Sequence, residues 1–259
     1  MSKFTRFLKR FYLGIILLFL YIPIVVLIVQ SFNAGKSRAK WEGFSFRWYA
    51  ELFQDRAIMD ALQVTLVIAV LAMIISTILG TLAAIGIHAM KKRPQAAMLT
   101  LTNIPNTMPD IVTGISLMLL FLFTKVERGF VTMLFAHITF DVPYVILSVM
   151  PKLKQMNRHS YEAALDLGAT PTYALTHVII PEIKQGIITG AMLSFTLSLD
   201  DFVISYFTTS PLVQNLSTLI YSKARIGIEP SLNALSAIMF VALLVLLLIV
   251  NRRTADNNS

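Results

Sequence analysis

The chain has 259 residues, of which 56% are hydrophobic and 14% are charged, against roughly 45–50% and about 25% in a typical soluble domain. It has no cysteine, which excludes a disulfide framework and a thiolate metal site, and its four histidines show no metal-ligand spacing. The net charge of +8 could suggest nucleic acid. The basic residues cluster beside apolar runs, however, so the positive-inside rule explains them and we expect a membrane protein with no cofactor, metal or nucleic-acid partner.

Six apolar runs predict an all-α integral membrane protein, because about 20 apolar residues cross the hydrocarbon core. The runs are 11–29, 61–87, 96–123, 131–150, 186–207 and 232–250. The first is too long for a signal-peptide core and is expected to remain as a span. Six spans place both termini on one side, and the concentration of basic residues beside the span ends places that side in the cytoplasm. We therefore expect residues 1–259 to form one transmembrane domain.

The segment 30–60 follows the first span and is rich in aromatic residues, including Trp41 and Trp48. Tryptophan favours the depth of the lipid headgroups, so both residues could simply anchor the loop at the interface. The alternative is contact with a ligand or partner outside the membrane. For Trp41 the two interpretations are equally supported.

Ionisable side chains inside apolar runs are candidates for function, since each costs roughly 2.5–3.5 kcal/mol at mid-span. Asp110 follows Pro105 and Pro109, which predict broken helix near mid-membrane. Asp200 and Asp201 form an adjacent pair whose side chains point about 100° apart on a helix. We expect one to face a pore and the other to brace a neighbour. The alternatives are a packing kink capped by Asp110 and a surface-loop pair.

Two further features of the runs are interpreted structurally. His137 and Asp141 lie four residues apart and could form a hydrogen-bonded pair within one helix. Gly186 and Gly190 form Gly-x3-Gly, which is typical of a close-packing face for another helix.

The polar stretch 158–181 predicts two short helices joined at an angle. Gly168 can take the left-handed conformation that ends the first helix, and Thr170 with Pro171 at the next position begins the second. Pro181 is expected to end or kink the second helix. The pair could fit a groove in another protein.

This stretch resembles the EAA loop of ABC importer permeases, whose pattern is Glu-Ala-Ala, three residues, Gly, nine residues, Ile, any residue, Leu-Pro. The positions that match in register are Glu162, Ala163, Ala164, Gly168 and Pro181. Val178 and Ile180 are conservative departures. The resemblance implies a coupling loop, about 158–181, that docks on an ATPase subunit. It therefore implies a transport subunit that is not itself an enzyme.

Most of the chain is similar to PotC-type permease subunits of spermidine/putrescine importers, which have the MetI-like fold. The similarity lies in Tyr21-Ile22-Pro23, Ser31-Phe32-Asn33, Trp48-Tyr49, Pro109-Asp110, His137 to Phe140 and, above all, Leu193 to Asp201. It implies a substrate path containing Trp48, Asp110, Ser198, Asp200 and Asp201. Asp141 and Leu165 depart from the residues usual in that branch and receive no implied role.

The same resemblance implies a bacterial inner-membrane assembly. Its expected parts are a second, PotB-like permease, two PotA-like ATP-binding subunits and an extracytoplasmic PotD-like solute-binding protein. Spaced carboxylates with aromatic faces also suit a polyamine, whose ammonium groups are strung along methylene chains. Two alternatives stay open, namely an ABC permease for another small solute and a proton-coupled secondary cation transporter.

Overall fold

The structure is a computed structural model that describes residues 3–37, 40–227 and 229–256. Within these residues it contains α-helices, one π-helical turn and two isolated β-bridges, and no β-strand. The helices of the first half are α1 (Lys3–Gln30), α2 (Arg47–Gln54), α3 (Arg56–Ala89), α4 (Lys92–Thr107), α5 (Asp110–Phe123) and α6 (Phe130–Gln155). Those of the second half are α7 (Arg158–Asp166), α8 (Pro171–Ala174), α9 (Ile180–Glu182), α10 (Lys184–Asp200), α11 (Val203–Thr208), α12 (Leu216–Ile226) and α13 (Pro230–Asp256).

Three helices are long and apolar enough to cross a membrane, namely Phe11–Gln30, Arg56–Ala89 and Phe130–Gln155. Two bent pairs raise this number to five if each pair is one span. They are Lys92–Thr107 with Asp110–Phe123, bent by 100°, and Pro171–Glu182 with Lys184–Asp200, bent by 72°. The sixth expected span, 232–250, lies in α13, whose side chains at 243 and 246–256 are outside the described residues. The all-helical fold is confirmed, and the count of six spans stays a prediction.

The chain divides into two compact units, one of residues 1–59 and 220–259 and the other of residues 60–219. In the first unit, α13 packs against α1 and α2. The loop after α1 folds back through a β-bridge between Asn33 and Phe44. Rings of the loop and of α2 then cluster, with Phe32 stacked on Phe44 at 5.1 Å between centroids.

The second unit is built around α6, which packs against α4, α5, α10 and α11. One apolar core joins α3 to α6 and includes Ala84, Val145 and Val149, which are at most 1% exposed. A second core joins α5, α6 and α11 through Leu117, Phe140 and Ile204.

The close-packing role expected of Gly186 and Gly190 is confirmed. A Cβ atom at Gly186 would lie 2.9 Å from the carbonyl oxygen of Ser148, and one at Gly190 would lie 3.2 Å from the Cα atom of Val145. Glycine therefore lets α10 approach the backbone of α6 directly.

Candidate functional site: two helix breaks and the loop 158–181

The loop between α7 and α8 has the geometry that its sequence predicts. Gly168 has φ of +88°, a conformation that glycine adopts at little cost. The amides of Gly168 and Ala169 donate to the carbonyls of Leu165 and Ala164, which is the Schellman pattern of a helix end. The Thr170 hydroxyl then accepts from the Tyr173 amide and caps α8.

A π-helical turn, Leu175–Ile179, precedes Pro181 and was not expected. Proline cannot donate to the carbonyl four residues earlier, and its ring would clash there. The wider turn moves the backbone ahead of the proline, and the chain bends by 72° before α10 begins at Lys184. The expected kink is present, but helix continues through Pro181 to Glu182 and the bend falls at Ile183, two residues after the proline.

The matched positions of the coupling loop are mostly open. Glu162, Ala163, Gly168 and Pro181 are exposed, and Ala164 is half-buried. A shallow pocket with a volume of about 510 Å³ lies over the turn. It is lined by Ala164, Leu167, Gly168, Ala169, Thr170 and Tyr173. Leu167 is 88% exposed at its edge.

Asp110 lies at a break in backbone structure, as its flanking prolines predict. Helix α4 ends at Thr107, because Pro109 disfavours helical backbone at Met108, whose φ and ψ are −83° and 146°. Asp110 then begins α5 with an exposed side chain. Nearby, the amide group of Asn106 is buried and has no hydrogen-bond partner among the described residues. The break therefore presents one open carboxylate and one unsatisfied amide.

Asp200 and Asp201 lie at a second break, which interrupts the predicted span 186–207: α10 ends at Asp200 and α11 begins at Val203. Asp200 is the last residue of α10 and is exposed. The side chain of Asp201 is 9% exposed and accepts from the amides of Ile204 and Ser205 at 3.2 and 2.7 Å, so it caps α11. One carboxylate is thus open and the other is structural in this chain.

The prediction of a direct hydrogen bond between His137 and Asp141 is wrong. The two residues lie on α6, and Ser198 of α10 stands between them. Its hydroxyl is 2.7 Å from Oδ2 of Asp141 and 3.1 Å from Nδ1 of His137. Ser198 is 2% exposed, so its side chain is directed to these partners. The bridge could not be predicted because Ser198 is 57 residues away along the chain.

Trp48 lies on α2, within the segment 30–60, and its ring is enclosed. It is 3% exposed, and its Nε1 donates to the carbonyl oxygen of Asn33 at 2.5 Å. Trp41, by contrast, is 50% exposed. Neither Trp48 nor Ser198 therefore has an open surface in this structure, whereas Asp110 and Asp200 do.

Comparison with solved structures defines the class of fold. The chain superposes with a TM-score of 0.78 on a structure described as a bacterial ABC transporter involved in the import of the acidic polysaccharide alginate. The alignment covers 97% of this chain and 98% of that chain, at 14% sequence identity. The chain therefore has the fold of that transporter chain.

Sequence comparison gives the family. The model of the family "Binding-protein-dependent transport system inner membrane component" matches residues 76–254. The spermidine/putrescine transport system permease protein PotC of Escherichia coli K12 is 37% identical over 243 residues, covering 94% of this chain and 92% of PotC. The putrescine transport system permease protein PotI of the same strain is 39% identical over 231 residues, covering 86% and 82%.

The chain belongs to the family of binding-protein-dependent transport system inner membrane components. It is thus a multi-pass protein of the bacterial inner membrane and a permease subunit of an ABC importer, and ATP hydrolysis belongs to partner subunits. The resemblance to PotC-type permeases is confirmed. Membership of this family excludes the secondary-transporter alternative.

Proposed function

We propose that this subunit carries polyamines, spermidine or putrescine, across the inner membrane into the cytoplasm. The single observation that carries the proposal is its identity of 37% with PotC over 94% of the chain. PotI, the putrescine permease, is similarly related, so the choice between the two polyamines is an outcome of the experiment below.

Two open carboxylates support a cationic cargo. Asp110 and Asp200 are exposed, and each lies where an apolar helix is interrupted. Broken helices commonly form the substrate sites of transporters, since their free backbone groups and carboxylates can replace the hydration of a charged solute. The sequence 110–123 and the sequence 186–208 contain no Lys or Arg to oppose an ammonium group.

We further propose that the remaining predicted path residues act around these two carboxylates. Asp201 orients the chain at the second break through its cap of α11. Ser198 acts through its bonds to Asp141 and His137. Trp48 acts by stabilising the conformation of the segment 30–60, because its ring is enclosed there.

The turn between α7 and α8 is proposed to be the surface that docks on the ATP-binding subunit and couples ATP hydrolysis to transport. Glu162, Ala163, Ala164, Gly168 and Pro181 form the matched loop, and exposed Leu167 beside it offers an apolar anchor for a partner groove. The proposed partners are a PotB-like second permease, two PotA-like ATP-binding subunits and a PotD-like solute-binding protein.

The test is uptake of radiolabelled spermidine and putrescine by cells that lack the gene and carry it on a plasmid. We expect uptake to require the permease and to be competed by unlabelled polyamine. The ligand of the copurifying solute-binding protein is identified in parallel by mass spectrometry. A non-polyamine ligand together with uptake that does not depend on the permease would overturn the proposal.

A further inference from the structure

Asp141 is the most enclosed carboxylate of the chain's second unit, and in the function proposed above it appears only as a hydrogen-bond partner of Ser198. It is 0% exposed, and its Oδ2 accepts from the hydroxyls of Ser194 and Ser198, each at 2.7 Å. Its Oδ1 has no hydrogen-bond partner among the described residues. An isolated buried carboxylate is costly, so this one requires an explanation beyond packing.

Proton counting gives the polar contacts around Asp141 a fixed direction. A serine hydroxyl has one proton, and Ser194 and Ser198 both give theirs to Oδ2 of Asp141. Ser194 must then accept from Ser76 of α3, whose Oγ is 2.8 Å away. Ser198 must likewise accept from Nδ1 of His137, which is 3.1 Å away. The donors on α3 and α10 and the His137 ring therefore all point toward one carboxylate.

The other ring nitrogen of His137 reaches the far side of the helix break. Nε2 lies 2.9 Å from Oγ of Ser205 on α11 and 3.6 Å from Oδ2 of Asp201. Ser205 also accepts from Nδ2 of Asn215 at 2.8 Å. His137 thus holds α11, while Asp141, one turn along α6, holds α10.

These two residues span the point where the chain leaves α10. The last residue of α10 is Asp200, and the extended backbone of Asp201, with φ and ψ of −63° and 124°, separates it from α11. The direction of Asp200 depends on how the two half-helices are held. All the side-chain hydrogen bonds of Ser194 and Ser198 on the preceding two turns of α10 connect to Asp141, His137 or Ser76.

We propose that Asp141 is a positioning residue for transport, which fixes the α10–α11 break through Ser194, Ser198 and His137 and thereby holds Asp200 in the substrate path. The inference rests on the proposed function. It assigns Asp141 no contact with the cargo, since the side chain is enclosed. The carboxylate acts as a double hydrogen-bond acceptor.

Two substitutions separate acceptance from charge. In D141N the amide oxygen has two lone pairs and can still accept from both serines. D141L keeps the branching of the side chain, with methyl groups in place of the two oxygens, but accepts nothing, so the hydroxyls of Ser194 and Ser198 both lose their acceptor. In the complete importer, reconstituted with its ATPases and binding protein, we expect D141L to raise the KM for spermidine about tenfold. D141N should stay within about threefold of the wild type.

A double-mutant cycle identifies which residue Asp141 acts through. If Asp141 positions Asp200, the effects of D141L and D200N on KM overlap, and their coupling is about tenfold. Asp110 is the matched control, because it lies at the start of α5. Among the described residues it has no hydrogen bond to the Asp141 cluster, which consists of Ser76, His137, Asp141, Ser194 and Ser198. The effects of D141L and D110N should therefore multiply. If D141L does not assemble, S198A removes the bridge to His137 and takes its place in both cycles.

Three outcomes overturn the inference. An unchanged KM in D141L with a lower yield of importer would make Asp141 a stability residue only. KM values raised equally in D141N and D141L would mean that the charge of Asp141 matters and its hydrogen-bond acceptance does not. Multiplicative effects of D141L and D200N would sever the connection to Asp200. Failure of the wild-type importer to carry any polyamine would instead refute the proposed function, and the two failures are therefore distinguishable.

Discussion

Asp200 and Asp201 are neighbours in the chain, yet Asp200 is exposed at the end of α10 while Asp201 is turned inward, where its carboxylate caps α11. A carboxylate that bonds two helix amides stabilises its helix by roughly 1 kcal/mol. An open carboxylate at a helix break is available to a cation. The two residues should therefore respond differently to the same substitution.

We predict that D200N lowers polyamine uptake at normal abundance, with a KM raised about five- to tenfold, because one ammonium contact is lost. D201N should mainly lower the abundance or melting temperature of the importer, because an amide is a weaker acceptor for the two helix amides. Uptake kinetics and quantitative blotting of the membranes separate these effects. The opposite assignment of the two phenotypes would contradict the prediction.

Asp110 is predicted to contribute at the other break. D110N keeps the shape of the side chain and removes its charge, so we expect the KM for spermidine to rise about fivefold with assembly intact. Glu127 is a matched control, since it is an exposed carboxylate in the connection between α5 and α6. E127Q should leave the KM unchanged, and an equal effect of both substitutions would point to a general surface charge effect.

Gly168 is predicted to be needed for coupling because of its backbone. Nothing lies within 4 Å of a Cβ built there, so a side chain meets no obstruction and the cost is conformational, from φ of +88°. G168V should abolish ATPase association and ATP-driven uptake. G168N should retain much of both, since Asn tolerates this region. Copurification of the ATP-binding subunit measures the association, and full association in G168V would refute the prediction.

Much of this loop and the break at Asp110 could be predicted because their causes are local. The break after Asp200 could not, because the sequence predicts one continuous span over 186–207. Gly168, Thr170 and Pro171 define the turn within four residues, and Pro109 ends α4 from two residues away. The Asp141 cluster could not be predicted, because Ser76 and Ser194 meet across 118 residues of sequence. The enclosure of Trp48 could not be predicted for a related reason. The composition of the segment 30–60 indicates that aromatic rings cluster, but only the tertiary structure decides which ring is enclosed.

Lys223 and Asp55 give a prediction about pH. Nζ of Lys223 lies 3.0 Å from Oδ2 of Asp55 and 2.9 Å from Oε2 of Glu229. Burial alone would raise the pKa of Asp55, but hydrogen bonds from Lys223 and from the Ile58 and Ala57 amides lower this pKa overall. Burial would lower the pKa of Lys223, but its bonds to Glu229 and Asp55 raise it overall.

The pKa of Asp55 is depressed, so its contribution to stability is present above its ordinary value and is lost as pH falls through the lower, folded value. The pKa of Lys223 is raised above its ordinary value of 10.5. Its contribution to stability is therefore fully present below pH 10.5 and is lost only as the pH rises through the higher, folded value. K223M should therefore cost about 1 kcal/mol of unfolding free energy between pH 5 and 9. This cost should shrink below about pH 4.

Thermal unfolding of the purified permease across this pH range measures the difference between wild type and K223M. K36M is the control, because Lys36 is an exposed lysine of the segment 30–60. A difference that grows in acid would contradict the ion-pair explanation.

The last prediction concerns Trp48 and Trp41, which are the two tryptophans of the chain. Trp48 is enclosed and donates to the carbonyl of Asn33, whose own side chain bonds to the carbonyl of Lys40 and the amide of Glu42. Trp48→Leu removes both the packed ring and that donor, so we expect it to loosen residues 31–54 and lower spermidine uptake about tenfold through the loop's shape. Trp48→Phe keeps most of the ring and should be intermediate, because a buried carbonyl left without a donor costs roughly 1–3 kcal/mol.

Fluorescence distinguishes the two positions directly. In a purified Trp41→Phe permease, the emission comes from Trp48 alone and should resist quenching by iodide, since the ring is 3% exposed. In a Trp48→Phe permease the emission comes from Trp41, which is 50% exposed, and should be quenched more strongly. Uptake by Trp41→Leu at equal abundance is the matched control and should stay near the wild-type rate. If Trp48 is readily quenched in the free permease and becomes protected only when polyamine or the binding protein is added, the ring is a contact surface and its role in holding the loop is refuted.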